Sequence, residues 1–154
     1  MKLIPQDIEL LEQAREHIDT VLIPLAPVDL GPAAMNQAKM NEFLSILSSE
    51  IERQFKGRII LVPPLSYLAG EDGQGKSDTA VRWEKAFIQQ GFRHIFFLTC
   101  DPGWKVVEAD LTSELVWVPS LPLGGLEDRV KRQLMDEQVR QVSSIFSQKW
   151  TEKK

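Results

Sequence analysis

Residues 18–25 read IDTVLIPL, a short run that is mostly apolar and rich in β-branched side chains. It is too brief for an ordinary helix, and its composition suits a strand buried on both faces. The breakers Pro24, Pro27, Gly31 and Pro32 close it. Three more runs share this character: RIILV at 58–62, ended by Pro63-Pro64; HIFFLT at 94–99; and LVWV at 115–118, stopped by Pro119. Between them lie stretches of helical period. QDIELLEQAREH at 6–17 brings Ile8, Leu11 and Ile18 near one face, and 35–55 aligns Met40, Phe43, Leu44, Leu47, Ile51 and Phe55 before Gly57. TAVRWEKAFIQQ at 79–90 turns Ala80, Trp83 and Phe87 inward before Gly91. The last stretch, 126–150, repeats apolar residues at Leu126, Val130, Leu134, Val139, Val142, Phe146 and Trp150. Helices alternating with continuous apolar strands imply crossover connections. The fold class is therefore α/β, a three-layer sandwich with a small, mainly parallel sheet of about four strands and a long carboxyl-terminal helix.

With a strand order of 2-1-3-4, right-handed crossovers set the loops after strands one and three side by side, which makes that edge the default ligand site. The binding candidates there are Asp29, Asp101 and Trp104, joined by Tyr67 and Glu71 from the loop after strand two. The stretch from 63 to 77, PPLSYLAGEDGQGKS, carries turn formers without a sustained period and reads as the longest loop.

A length of 154 residues fits one domain spanning 1–154. Apolar residues at 43% and charged residues at 26% exclude disordered and fibrous classes. Eighteen basic against 22 acidic side chains, a net charge of −4, argue against nucleic acid or a membrane surface as partner. A single cysteine, Cys100, excludes an intramolecular disulfide and suits a reducing cytoplasm. No apolar run approaches the roughly 20 residues of a membrane span, and the amino terminus opens with a polar helical pattern in place of a signal peptide.

The loudest formal motif is GEDGQGKS at 70–77, which satisfies the phosphate-binding pattern G-x-x-x-x-G-K-[ST]. A working phosphate loop needs a strand running into the first glycine and a helix starting at the lysine. Here Pro63-Pro64 intervene, and Glu71 and Asp72 bring negative charge to the phosphate position. A nucleotide-binding protein built on Lys76 is thus the weaker alternative. Cys100 enters a loop, but His94 lies six residues earlier on the same strand, ~20 Å away at ~3.3 Å per residue, and His17 faces that same far edge. No nucleophile and base pair forms, so no catalytic residue is assigned. One cysteine and two distant histidines do not make a zinc site, and Asp29, Glu71, Asp72 and Asp101 read as solvated acids, so neither a metal nor a cofactor is expected.

Trp104, beyond Asp101-Pro102-Gly103, is hard to place in the sheet and is a candidate for stacking on a flat ligand. The last helix, ~37 Å at 1.5 Å per residue, exceeds a strand of ~20 Å. Its overhang would expose Val142, Ile145, Phe146 and Trp150, which become the candidate contact for a second copy or another protein.

Two resemblances emerge from these stretches. DTVLIPLAPV at 19–28, RIILVPPLSYL at 58–68 and WEKAFIQQGFRHIFFLTCD at 83–101 make the whole chain resemble the YpiF-like family of bacilli, which implies no known activity. More distantly, LIPLAPVDLGP, LVPPLSY and QQGFRHIFFLTCDPG are similar in order to the creatininase family of metal-dependent amidohydrolases, with its LPVGSxEQHGP, PPxxYG and GFRxIxxxNGHGGN patterns. That family's Glu and His ligands fall on Val28 and Leu30, and the histidine of its third segment falls near Asp101. The resemblance implies a layered α/β sheet in a relative without the metal pair. The functional expectation is a non-catalytic cytoplasmic protein that binds a partner or a small ligand at the strand edge, with a divergent amidohydrolase-like enzyme as the alternative.

Overall fold

The computed structural model describes residues 1–152. Its elements run α1 (Pro5–Gln13), β1 (Thr20–Val28), α2 (Ala34–Gln54), β2 (Ile59–Leu61), β3 (Leu65–Leu68), α3 (Gly73–Gln89), β4 (His94–Thr99), a 3-10 helix (Pro102–Asp110), β5 (Glu114–Trp117) and α4 (Asp128–Thr151). The five strands are parallel, in the order β2-β1-β4-β5 with β3 also paired to β1. The expected order holds, with one strand more than expected.

Alternation along β1 divides the core. Val21, Ile23 and Leu25 point to one face with Ala80 of α3 and with Trp104 and Val107 of the 3-10 helix. Leu22 points to the other, packing with Phe43, Leu44, Leu47 and Ile51 of α2 and with Met135, Val139, Val142 and Phe146 of α4. Strands covered by helices on both faces need continuous apolar sequence, as the four runs supplied.

β1 does not stop at Pro24. The Leu22 carbonyl accepts the Val62 N–H, so the backbone at 22 faces β2. By alternation Pro24 faces the same side, where Pro63-Pro64 interrupt the neighbouring strand and no donor is required. The prolines thus split one edge strand into two. β2 pairs with Thr20–Leu22, and β3 pairs with Leu25–Val28.

The overhang of the last helix is corrected as well. Val142 and Phe146 are buried in the chain's own core, Trp150 is half-buried, and of the four Ile145 alone is exposed. The Trp150 indole N–H donates to Thr20 Oγ1 at 2.9 Å, which fastens the helix end to the start of β1. The buried stripe of α4 from Met135 to Phe146 joins the core that contains Phe96 and Leu98 of β4 and Val116 of β5, so the end of the helix lies on the sheet and the excess length falls at its start, where residues 128–134 are exposed or half-buried. Among the described residues no helix is long and apolar enough to cross a membrane.

Candidate functional site

The carboxyl ends of β3 and β4 deliver Tyr67 and Asp101 to each other. Tyr67 pairs with Pro27 of β1 in register, and its hydroxyl donates to Asp101 Oδ2 at 2.7 Å. Asp101 also caps the 3-10 helix, its Oδ1 accepting the Gly103 N–H at 2.9 Å, while its own N–H donates to Thr99 Oγ1 at 3.0 Å. The first turn of that helix buries Trp104 completely and sets its ring edge-on to Tyr67, 5.3 Å between centroids. Burial, reinforced by the Asp101 carboxylate, keeps the Tyr67 phenol protonated far above its ordinary range.

The fourth member comes from α3. Asp72 caps this helix by accepting the Gly75 N–H at 2.8 Å, and Ser77 Oγ donates to Asp110 Oδ2 at 3.0 Å, tying α3 to the 3-10 helix. Lys76 is thereby turned inward. It is 8% exposed, with Nζ 5.4 Å from the Tyr67 ring centroid and 5.3 Å from that of Trp104. Gly103 sits beside the ammonium: a Cβ there would make ordinary contact with Lys76 Nζ at 3.6 Å and a tight one only with Asp101 Oδ1 at 3.1 Å. Lys76 makes no ion pair within 4 Å among the described residues; two ring faces and the nearby carboxylates of Asp101 and Glu71 surround its ammonium. A cavity of about 120 Å³ opens here, lined by Leu65, Ser66, Tyr67, Glu71, Lys76, Thr79 and Trp104. The buried Trp104 indole is directed toward the Tyr67 hydroxyl, an interaction that offsets part of the rise in the phenol's pKa.

Tyr67, Asp101 and Trp104 therefore meet as the strand-edge reading expects. Asp29 stays outside the cluster, because its Oδ1 is engaged in its own turn, accepting the Gly31 N–H at 2.8 Å. Glu71 lines the cavity, its carboxylate lying over Gly75, where an added Cβ would meet Oε1 at 2.8 Å.

The stretch 63–77 is not one long loop, since β3 and the first turn of α3 occupy much of it. A strand does run to within two residues of Gly70, but the phosphate cradle is absent. α3 starts three residues before Lys76, and among the described residues only Gly91 and Gly125 have positive φ. The alternation of backbone conformation that forms an anion nest is missing, and Asp72 already holds the Gly75 N–H. Lys76 itself had a legible signal. Carrying the α3 period backward from Ala80 puts residue 76 on the inward face.

Burial pushes the Cys100 thiol up to about 12. His94 begins β4, and Cys100 follows its far end. His17 is exposed beside Glu16, 3.5 Å away. The creatininase ligand positions fall on exposed Val28 and Leu30 and on Asp101, which is bonded to Tyr67. Among the described residues no three His, Cys, Asp or Glu side chains converge as a metal site.

A family model described as a protein of unknown function, DUF2487, matches residues 9–150. The chain belongs to the DUF2487 family. It is also similar to the uncharacterized protein YpiF of Bacillus subtilis (strain 168), with 33% identity over 141 residues that cover 90% of each chain. No solved structure matches it. The DUF2487 match runs from within α1 into α4, so it includes every residue of the Tyr67–Lys76–Asp101–Trp104 cluster.

Proposed function

We propose that this DUF2487 protein binds a small ligand, without transforming it, in the cavity where β3, α3 and the 3-10 helix meet. The observation that carries the reading is the lining itself: a buried ammonium, the Glu71 side chain and two aromatic rings surround one space. Small-molecule sites have this composition, apolar and aromatic walls with a few convergent polar groups, and they favour the carboxyl edge of parallel sheets. The buried free thiol of Cys100 supports a reducing, cytoplasmic setting. Self-association through α4 draws less support than its sequence stripe suggests, because Val142 and Phe146 are spent on the core.

The test is a fragment screen of the full chain, labelled with ¹⁵N-tryptophan and followed at the four indole N–H resonances. The reading expects hits that move the Trp104 resonance, assigned with Trp104→Phe, and leave Trp150 in place. Hits that move only the other indoles would contradict it.

A further inference from the structure

We infer that β5 is an interface strand: a second copy of this chain pairs with it antiparallel across a two-fold axis at Val116, joining two sheets into one. The inference is independent of the ligand cavity and begins from the backbone groups at the two sides of the sheet. On the β2 side Met1 and Lys2 lie along the edge, because the Met1 carbonyl accepts the Leu61 N–H at 2.7 Å and Lys2 bridges Leu61. Further along that side Pro63-Pro64 offer no donor to a new strand. β5 carries no such guard. The Val118 N–H donates to the Thr99 carbonyl at 2.9 Å, so residue 118 faces β4. By alternation Val116 faces β4 as well, and Leu115 and Trp117 turn their N–H and C=O groups away from the sheet. No other backbone group takes these up among the described residues. An edge left open in this way is a template for another strand.

Two features favour a copy of the same chain over a foreign strand. Antiparallel pairing centred on Val116 sets Leu115 opposite Trp117 of the second copy as a hydrogen-bonded pair, and the reverse, so the outward groups of both edges are satisfied in one register. The helix layer then closes over the same axis. Lys149 Nζ lies 3.3 Å from Glu114 Oε1, which places this flank of α4 beside the start of β5. Ile145 is one turn earlier on that flank and 38% exposed. It stands ~6 Å from Lys149 along the helix, and Val116 stands ~7 Å from Glu114 along the oppositely directed strand. Ile145 therefore reaches the height of the axis, where it meets its own symmetry mate above the Val116 layer of the core. An apolar residue that meets itself on the axis is what a self-complementary interface requires.

The experiment follows sedimentation and backbone amide exchange of the ¹⁵N-labelled full chain from ~10 µM to ~1 mM, the range in which a short edge pairing dissociates. The expected result is a monomer–dimer equilibrium. At the upper concentration the Leu115 and Trp117 amides should exchange about tenfold or more slower, while the amides of α1 keep their rates. Ile145→Glu, at an exposed position, should weaken the dimer about tenfold or more by setting like charges together at the axis, and Ile145→Leu should retain it. The exchange comparison uses the wild-type chain, so a misfolded variant would leave the test intact. A monomer at every concentration would overturn the inference. A dimer whose Leu115 and Trp117 amides exchange at the monomer's rate would also overturn it, since that assembly uses another surface. A dimer untouched by Ile145→Glu would overturn the axis at Val116.

Discussion

Truncating Phe146 should be among the most damaging single changes in the protein. Its ring is fully buried, stacked on Phe96 of β4 at 4.0 Å between centroids and 16° between planes, and it contacts Phe55 at 6.5 Å and Trp150 at 6.0 Å. Phe146→Ala removes the transferred surface, leaves a cavity between α2, α4 and the sheet, and deletes three ring contacts at once. Large-to-small changes of this kind cost about 3–5 kcal/mol. In a domain of this size each kcal/mol moves Tm by about 2–4 °C, so the expected fall is roughly 6–20 °C. Urea unfolding followed by far-UV circular dichroism, with thermal melts alongside, measures both quantities. Ile145→Ala one position earlier is the control, since Ile145 is 38% exposed and its loss should stay below about 1 kcal/mol. If Phe146→Ala costs no more than Ile145→Ala, α4 does not lie on the sheet as described, and its stripe is free for a partner.

Two other changes follow from buried polar groups. Glu84 is 1% exposed and accepts the N–H groups of Thr112 at 3.2 Å and Ser113 at 3.0 Å, which fixes the entry to β5. Glu84→Ala should cost about 2–4 kcal/mol by stranding both donors, and Glu84→Gln, which keeps an acceptor, should cost less in the same urea experiment. Stability should also fall on the alkaline side. Cys100 ionises near 9.0 when exposed and near 12 when folded, so the unfolded chain sheds its proton first, and stability present below pH 9 is lost as pH rises toward 12. The limiting slope from this group is about 1.4 kcal/mol per pH unit. Cys100→Ala should flatten the decline measured by urea titrations between pH 8 and about 11, and an unchanged slope would place the thiol in water.

Period and composition exposed the layers because strands buried on both faces leave no room for polar residues, as IDTVLIPL and HIFFLT show. Proline was harder to interpret. Its local rule forbids a central strand, yet Pro24 is accommodated because its missing donor faces the gap that Pro63-Pro64 make in the neighbouring strand. That coincidence joins residues nearly forty apart and is invisible to any local window. The length of α4 misled because its excess over the sheet was assigned to the wrong end: residues 128–134 are exposed or half-buried, while Phe146 stacks on Phe96 of β4. Within the site, Tyr67, Asp101 and Trp104 were legible because the sheet order fixes which loops converge. Lys76 was missed although the α3 period carries back to it, because a lysine in a glycine-rich stretch reads as solvated. Only the backward extension of α3, held by the Asp72 cap and the Ser77–Asp110 bond, turns it inward. Asp29 shows the opposite error, an edge residue whose carboxylate is consumed by its own turn.

The inward ammonium of Lys76 is most directly tested by its acylation rate. Brief treatment of the native protein with an amine-reactive acetylating reagent, followed by peptide mass spectrometry, compares Lys76 with exposed Lys56 and Lys85. Burial between Tyr67 and Trp104 predicts modification of Lys76 about tenfold or more slower than of those two, with the difference erased in urea. Equal rates in the native state would put Lys76 in solvent and contradict the site.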